Sequence, residues 1–165
     1  MKDISKQTTV AFSESQIASH RNDDSVFEHS LEFVAKVNQV SYINDSKATS
    51  VNDTWNSLQS MEKGVVLILG SSDRRNDYSV LKGLVSEKVK AIVCLGSDRN
   101  QIFSALIRHG MIVHAIDLKE AISIAGILSK PGNTVLFSPG CPSFDAFDNY
   151  KNRGNKFKEL VCSIS

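Results

Sequence analysis

The feature that most constrains the fold is the run Val65-Val66-Leu67-Ile68-Leu69, five apolar residues in a row closed by Gly70. Too short for an independent helix and rich in β-branched side chains, it reads as a strand covered on both faces. Ala91-Ile92-Val93-Cys94-Leu95 before Gly96 and Thr134-Val135-Leu136-Phe137 have the same character, and Met111 to Ala115 forms a further strand between them. Amphipathic stretches separate these runs. Val51, Trp55 and Leu58 share one helical face, as do Val80, Leu81, Leu84 and Val85, and then Ile102, Phe103, Leu106 and Ile107. Ala121, Ile122, Ala125 and Leu128 follow Asp117 and Glu120, which are spaced like a capping box. A last helix carries Phe144, Phe147, Tyr150, Phe157 and Val161. Doubly buried strands alternating with helices need crossover connections, and these place helices on both sides of a parallel sheet. The expected class is α/β, a Rossmann-like, mostly parallel sheet with helices on both faces.

Upstream, Leu31 to Val37 and Val40 to Ile43 are β-prone runs around Asn38-Gln39, which predicts an opening β-hairpin. Residues 1–28 are polar, and their few apolar positions fit neither the strand nor the helix period. They read as an N-terminal arm or linker remnant, and 29–165 as a single domain, in keeping with a chain of 165 residues.

Lys and Arg number 19 against 18 Asp and Glu, so bulk charge favours neither nucleic acid nor an anionic membrane as a partner. No run of some 18 apolar residues and no secretory leader is visible, and a cytoplasmic location is expected. The three cysteines, Cys94, Cys141 and Cys162, are widely spaced and suit free thiols, and the four histidines add no metal-ligand spacing. No metal site is expected in this chain.

In a sheet of this class ligands gather at the carboxyl ends of the strands, here the loops that begin at Asn44, Gly70, Gly96 and Ser138. Asn44-Asp45-Ser46-Lys47-Ala48-Thr49 sets an acid, a base and hydroxyls before the helix of Val51, where unpaired N–H groups favour an anion. The plainer reading is that Thr49 or Ser50 caps that helix while Asp45 and Lys47 are solvated charges. Gly70-Ser71-Ser72-Asp73-Arg74-Arg75 brings two guanidinium groups to a strand end, suited either to a carboxylate or to the neighbouring Asp73 and Asp77. Ser138-Pro139-Gly140-Cys141-Pro142-Ser143 lets the backbone approach a ligand, with the Ser143 hydroxyl at hand. Cys141 has no histidine near it in this segment and reads as packing rather than as a nucleophile.

Asn44-Asp45-Ser46-Lys47-Ala48-Thr49, followed by Ser138-Pro139-x-Cys141-x-Ser143-Phe144-Asp145 and Asn149-Tyr150-x-x-Arg153-Gly154-x-x-Phe157, resembles the C-terminal domain of the Mur ligases. The branch most similar adds D-glutamate to UDP-N-acetylmuramoyl-L-alanine in peptidoglycan synthesis. The resemblance spans roughly Phe27 to Val161. It implies an ATP- and Mg2+-dependent amide-bond-forming ligase, in which the acceptor carboxylate is phosphorylated and the D-glutamate amine attacks the acyl phosphate. It further implies that Thr49 and Arg74 hold one D-glutamate carboxylate, that Ser143 and the backbone of Tyr150 hold the other, and that Asp45 and Lys47 face the nucleotide and the transferred phosphate in a catalytic role. The Gly-x-x-x-x-Gly-Lys-[Ser/Thr] phosphate loop of the family's central domain is absent from the chain. ATP and Mg2+ would therefore be bound mainly by N-terminal and central Mur ligase domains acting as partners, and this chain alone is expected not to turn over. Ser30, Ser71, Arg74 and Pro142 depart from the family pattern and motivate an alternative, a free-standing binding or regulatory module without ligase activity.

Overall fold

The computed structural model describes residues 28–71, 76–96, 99–143 and 147–164. Strands β1 (Glu32–Val37) and β2 (Val40–Asn44) open the chain, followed by α1 (Val51–Ser60) and β3 (Val65–Gly70). A 3-10 turn (Tyr78–Leu81) leads into α2 (Lys82–Lys88), and β4 (Val89–Leu95), α3 (Asn100–Leu106), β5 (Met111–Ala115), α4 (Leu118–Leu128), β6 (Thr134–Phe137) and α5 (Tyr150–Cys162) complete the order. The strands form one sheet, β1-β2-β6-β3-β4-β5, antiparallel only between β1 and β2. This is the expected α/β architecture with its opening hairpin. The arm expected over residues 1–28 lies, apart from Glu28, outside the described residues.

The sheet is double-sided because its apolar runs alternate faces. Val66 and Ile68 of β3 join Val93, Phe137, Leu118, Ala125, Phe157 and Val161 in one cluster, which seats α4 and α5. Val65, Leu67 and Leu69 point the other way, onto Val51, Leu58, Leu81, Val85, Ile102 and Leu106 of α1, α2 and α3. All five β3 side chains are 0% exposed, and each buried Val, Leu or Ile contributes about 1.5–3 kcal/mol of transfer free energy. Asn38 and Gln39, at φ 50° and 63°, make the paired left-handed turn that a two-residue hairpin requires.

Two expected elements differ in detail. Val80 does not face the core, because Asp77 caps a 3-10 turn by accepting from the Ser79 N–H at 2.9 Å. Three residues per turn direct Tyr78 and Leu81 inward and leave Val80 exposed. The last helix begins only at Tyr150, where Asn149 is its N-cap and accepts from the Asn152 N–H at 2.9 Å. Phe147 lies before it, in a turn closed by its N–H to the Ser143 carbonyl at 3.0 Å, and Phe144 is outside the described residues. Asp117 and Glu120 do cap α4: the Asp117 carboxylate accepts from the Glu120 N–H at 2.7 Å, and Glu120 accepts from the Ile116 N–H at 2.6 Å.

Candidate functional site

The parallel ladder sets the site's position. β6 lies between β2 and β3, with Asn44 opposite Phe137 and Phe137 opposite Ile68, so the loops leaving β2, β3 and β6 emerge side by side. The Asp45 N–H continues the ladder to the Phe137 carbonyl at 2.8 Å, the Gly140 N–H reaches the Ala48 carbonyl at 3.1 Å, and the Gly70 N–H reaches the Pro139 carbonyl at 2.8 Å. Gly140 is confined to glycine on two counts. Its φ is 65°, and a Cβ there would come within 2.8 Å of the Thr54 hydroxyl. Gly140→Ala is expected to cost about 2 kcal/mol, a figure that urea denaturation would check, because left-handed strain and the crowded hydroxyl act together.

Asp45 is only 3% exposed. Its Oδ2 accepts from the Ser57 hydroxyl at 2.6 Å and the Ser138 hydroxyl at 2.7 Å, and its Oδ1 accepts from the Leu31 N–H at 3.2 Å. Burial nevertheless outweighs these three donors and pushes the carboxyl pKa up to about 6. Asp45 thus joins the loop before β1, helix α1 and the β6 loop from behind the surface. Lys47, by contrast, is exposed at the tip of the same loop.

Thr49 is exposed beside α1, whose N-cap is Ser50, one of the two caps the sequence offered. Asp53 completes a capping box, accepting from the Ser50 N–H at 3.0 Å and the Thr49 N–H at 3.2 Å. That carboxylate already complements the positive end of α1. Ser143 is buried and Tyr150 half-buried at the first position of α5, where an N–H has no acceptor within the helix. Arg74 lies outside the described residues. The described loops therefore bring Asp45, Lys47, Thr49, Ser143 and Tyr150 to one edge of the sheet.

Two further groups organise that edge. Arg153, 4% exposed, donates from Nε to the Ser46 hydroxyl at 3.0 Å, from Nη2 to the Ser46 carbonyl at 2.8 Å and from Nη1 to the Cys141 carbonyl at 2.8 Å. The Ser46 hydroxyl in turn donates to the Tyr150 carbonyl at 2.7 Å. Asn44 Nδ2 donates to His29 Nδ1 at 2.9 Å and to Glu32 at 3.0 Å, while its Oδ1 accepts from the Ser46 N–H at 3.2 Å. An accepting Nδ1 makes His29 the neutral Nε2–H tautomer, and burial holds its pKa below the usual histidine value. Thr54 and Ser57 are hydroxyls on the same α1 stripe as Val51 and Leu58; nothing in the pattern ties Ser57 to Asp45, or Thr54 to the Ser138 carbonyl, to which its hydroxyl donates at 3.2 Å.

Cys94 and Cys141 are buried, Cys162 is exposed, and none forms a disulfide. Burial pushes the Cys94 thiol up to about 12, which makes it inert packing. Among the described residues no group of three or more His, Cys, Asp or Glu is placed to hold a metal, and no helix is long and apolar enough to cross a membrane. A cavity of about 640 Å3 between the start of α4 and α5, lined by Asp117, Leu118, Lys119, Phe147, Asn152 and Lys156 among others, contains none of the candidate ligand-binding or catalytic residues read from the sequence.

The family described as "Mur ligase, glutamate ligase domain" matches residues 31–141. Among curated proteins, the UDP-N-acetylmuramoylalanine--D-glutamate ligase of Christiangramia forsetii is 52% identical over 141 residues, 83% of this chain and 31% of the relative. Enzymes of the same name from Cytophaga hutchinsonii and Chloroherpeton thalassium are 46% and 44% identical, each over 83% of this chain. The chain spans 29 to 31% of the length of these relatives. With the match covering β1 through the β6 loop, the chain belongs to the Mur ligase, glutamate ligase domain family.

Proposed function

We propose that this chain is the C-terminal, amino-acid-binding domain of an ATP-dependent cytoplasmic ligase that adds D-glutamate to UDP-N-acetylmuramoyl-L-alanine. The observation that carries the reading is the convergence of Thr49, Ser143 and the first turn of α5 on one sheet edge, held there by Arg153 and Ser46. D-Glutamate has two carboxylates. One would lie at Thr49 and Arg74, the other at the Ser143 hydroxyl and the Tyr150 N–H, where a helix start favours negative charge.

ATP, with Mg2+, would supply the phosphoryl group that activates the acceptor carboxylate, and N-terminal and central Mur ligase domains would hold both. Toward that phosphate this chain offers the exposed ammonium of Lys47, where fixed positive charge can stabilise transferred charge. Asp45, with both oxygens engaged by Ser57, Ser138 and Leu31, fits the same chemistry indirectly, by fixing the loop that carries Lys47 and Thr49.

The test is reconstitution. The chain, mixed with the N-terminal and central domains of a relative, is expected to support D-glutamate-dependent release of phosphate from ATP in the presence of the nucleotide acceptor. Ser143→Ala should raise the D-glutamate KM about tenfold, the scale of one hydrogen bond to a charged group, while leaving the ATP KM within about twofold. An active mixture in which Ser143→Ala leaves the D-glutamate KM unchanged would remove Ser143 from the site. Absence of any turnover, although the same two domains work with their own third domain, would favour a binding module.

A further inference from the structure

Arg153 is a buried cation whose three hydrogen bonds within the described residues all go to neutral oxygens. Two are carbonyls, of Ser46 and Cys141, and one is the Ser46 hydroxyl. Among the described residues no carboxylate pairs with it, although buried guanidinium groups are ordinarily paired. Burial accordingly holds its pKa below the ordinary arginine value, but the group stays cationic because guanidinium ionises so weakly. Its fork spans the two loops assigned to the ligand: Ser46 precedes Lys47 and Thr49, and Cys141 precedes Ser143. Through the Ser46 hydroxyl the same cluster reaches the first residue of α5.

We propose that Arg153 is a positioning residue of the dicarboxylate site, fixing the Thr49 and Ser143 loops at one separation and placing a buried positive charge beside them that favours a doubly anionic amino acid. This inference rests on the D-glutamate reading of the site and adds, to the residue that holds its loops, a part in recognising charge. A purely structural clamp would weaken every ligand of the site alike. A charge that is part of recognition discriminates, because removing it weakens a ligand with two carboxylates more than one with a single carboxylate.

The experiment uses the full 165-residue chain, Arg153→Lys and Arg153→Gln, titrated with D-glutamate and with D-glutamine and followed by amide NMR, with thermal unfolding as the control for fold. Arg153→Gln is expected to weaken D-glutamate about tenfold or more and D-glutamine by less than about threefold, and Arg153→Lys to recover part of the difference. Equal weakening of both ligands in folded variants would overturn the charge role, and unchanged D-glutamate binding would overturn the proposal entirely. Should the variants not fold, the Arg153 Nε–H resonance of the unaltered chain decides. It should shift on D-glutamate binding together with the Thr49 and Ser143 amides, and a stationary Arg153 signal beside shifting amides would again overturn the proposal. Failure of the unaltered chain to bind D-glutamate at all would count against the D-glutamate reading instead.

Discussion

Gly154→Ala is expected to destabilise the domain by about 2–3 kcal/mol, although glycine-to-alanine inside a helix ordinarily gains about 1 kcal/mol. Gly154 lies within α5, facing the buried His29 ring, and an added Cβ would collide with His29 Nδ1 and come within 2.8 Å of Cε1. The ring has no room to retreat. Its main chain is tied by the His29 N–H to Glu32 at 3.0 Å and by the Lys47 N–H to the His29 carbonyl at 2.9 Å. Asn44 holds Nδ1 from the third side, so displacing the ring also takes from the buried Asn44 amide one of its acceptors, at about 1–3 kcal/mol. A loss of 2–3 kcal/mol corresponds to roughly 5–10 °C in Tm for a domain of this size. The cause is separable by a double-mutant cycle: in a His29→Ala background, Gly154→Ala should be neutral or stabilising. A loss that persists without the imidazole would mean that the helix backbone, not His29, sets the constraint.

The second large effect is a pH-dependent one at Asp45. Its folded pKa of about 6 stands above the unfolded value of 3.8, so the folded chain binds the Asp45 proton more tightly. The stability due to this group is fully present below about pH 3.8 and is lost as pH rises through about 6. Two pKa units correspond to about 3 kcal/mol. Asn cannot ionise, and its amide keeps an acceptor for part of the same cluster. The stability of Asp45→Asn minus that of the unaltered chain should therefore climb by about 3 kcal/mol between pH 3.5 and 7.5, read from urea denaturation at each pH. Parallel curves would show that the carboxylate is not strained by burial. At neutral pH the unaltered chain thus carries a buried charge at a cost, which suits a residue whose task is to hold the Lys47 and Thr49 loop rather than to maximise stability.

Much of the fold was legible because the core strands state their environment directly. Val65 to Leu69 has no polar residue to assign to a solvent face, and the structure covers both faces. Asn38-Gln39 between two β-prone runs and the Asp117 and Glu120 pair before α4 are local signals with local causes, and both were read correctly. Spacing alone misled where caps intervened. Phe147 continues the apolar rhythm of Tyr150 and Phe157, but Asn149 starts the helix after it. At the site, the loops and their order could be read from strand ends, while for Asp45 the pattern offered a ligand-facing acid or a solvated loop charge and gave no sign that the carboxylate is buried. Its partners Ser57 and Ser138 are 12 and 93 residues away, a pairing set by strand order, which no local pattern encodes. Arg153 was visible as a motif letter, but its contacts with Ser46 and Cys141 exist only once α5 is laid against the ends of β2 and β6.

The most direct measurement is an amide NMR titration of the isotope-labelled chain with D-glutamate and, separately, L-glutamate. Saturable shifts with D-glutamate, centred on Thr49, Ser143 and Tyr150 and weaker or absent with the L-enantiomer, are expected of an amino-acid site at the carboxyl edge of the sheet. Identical, non-saturating responses to both enantiomers, or saturable shifts confined to the α4–α5 cavity, would contradict the assignment of that edge to D-glutamate.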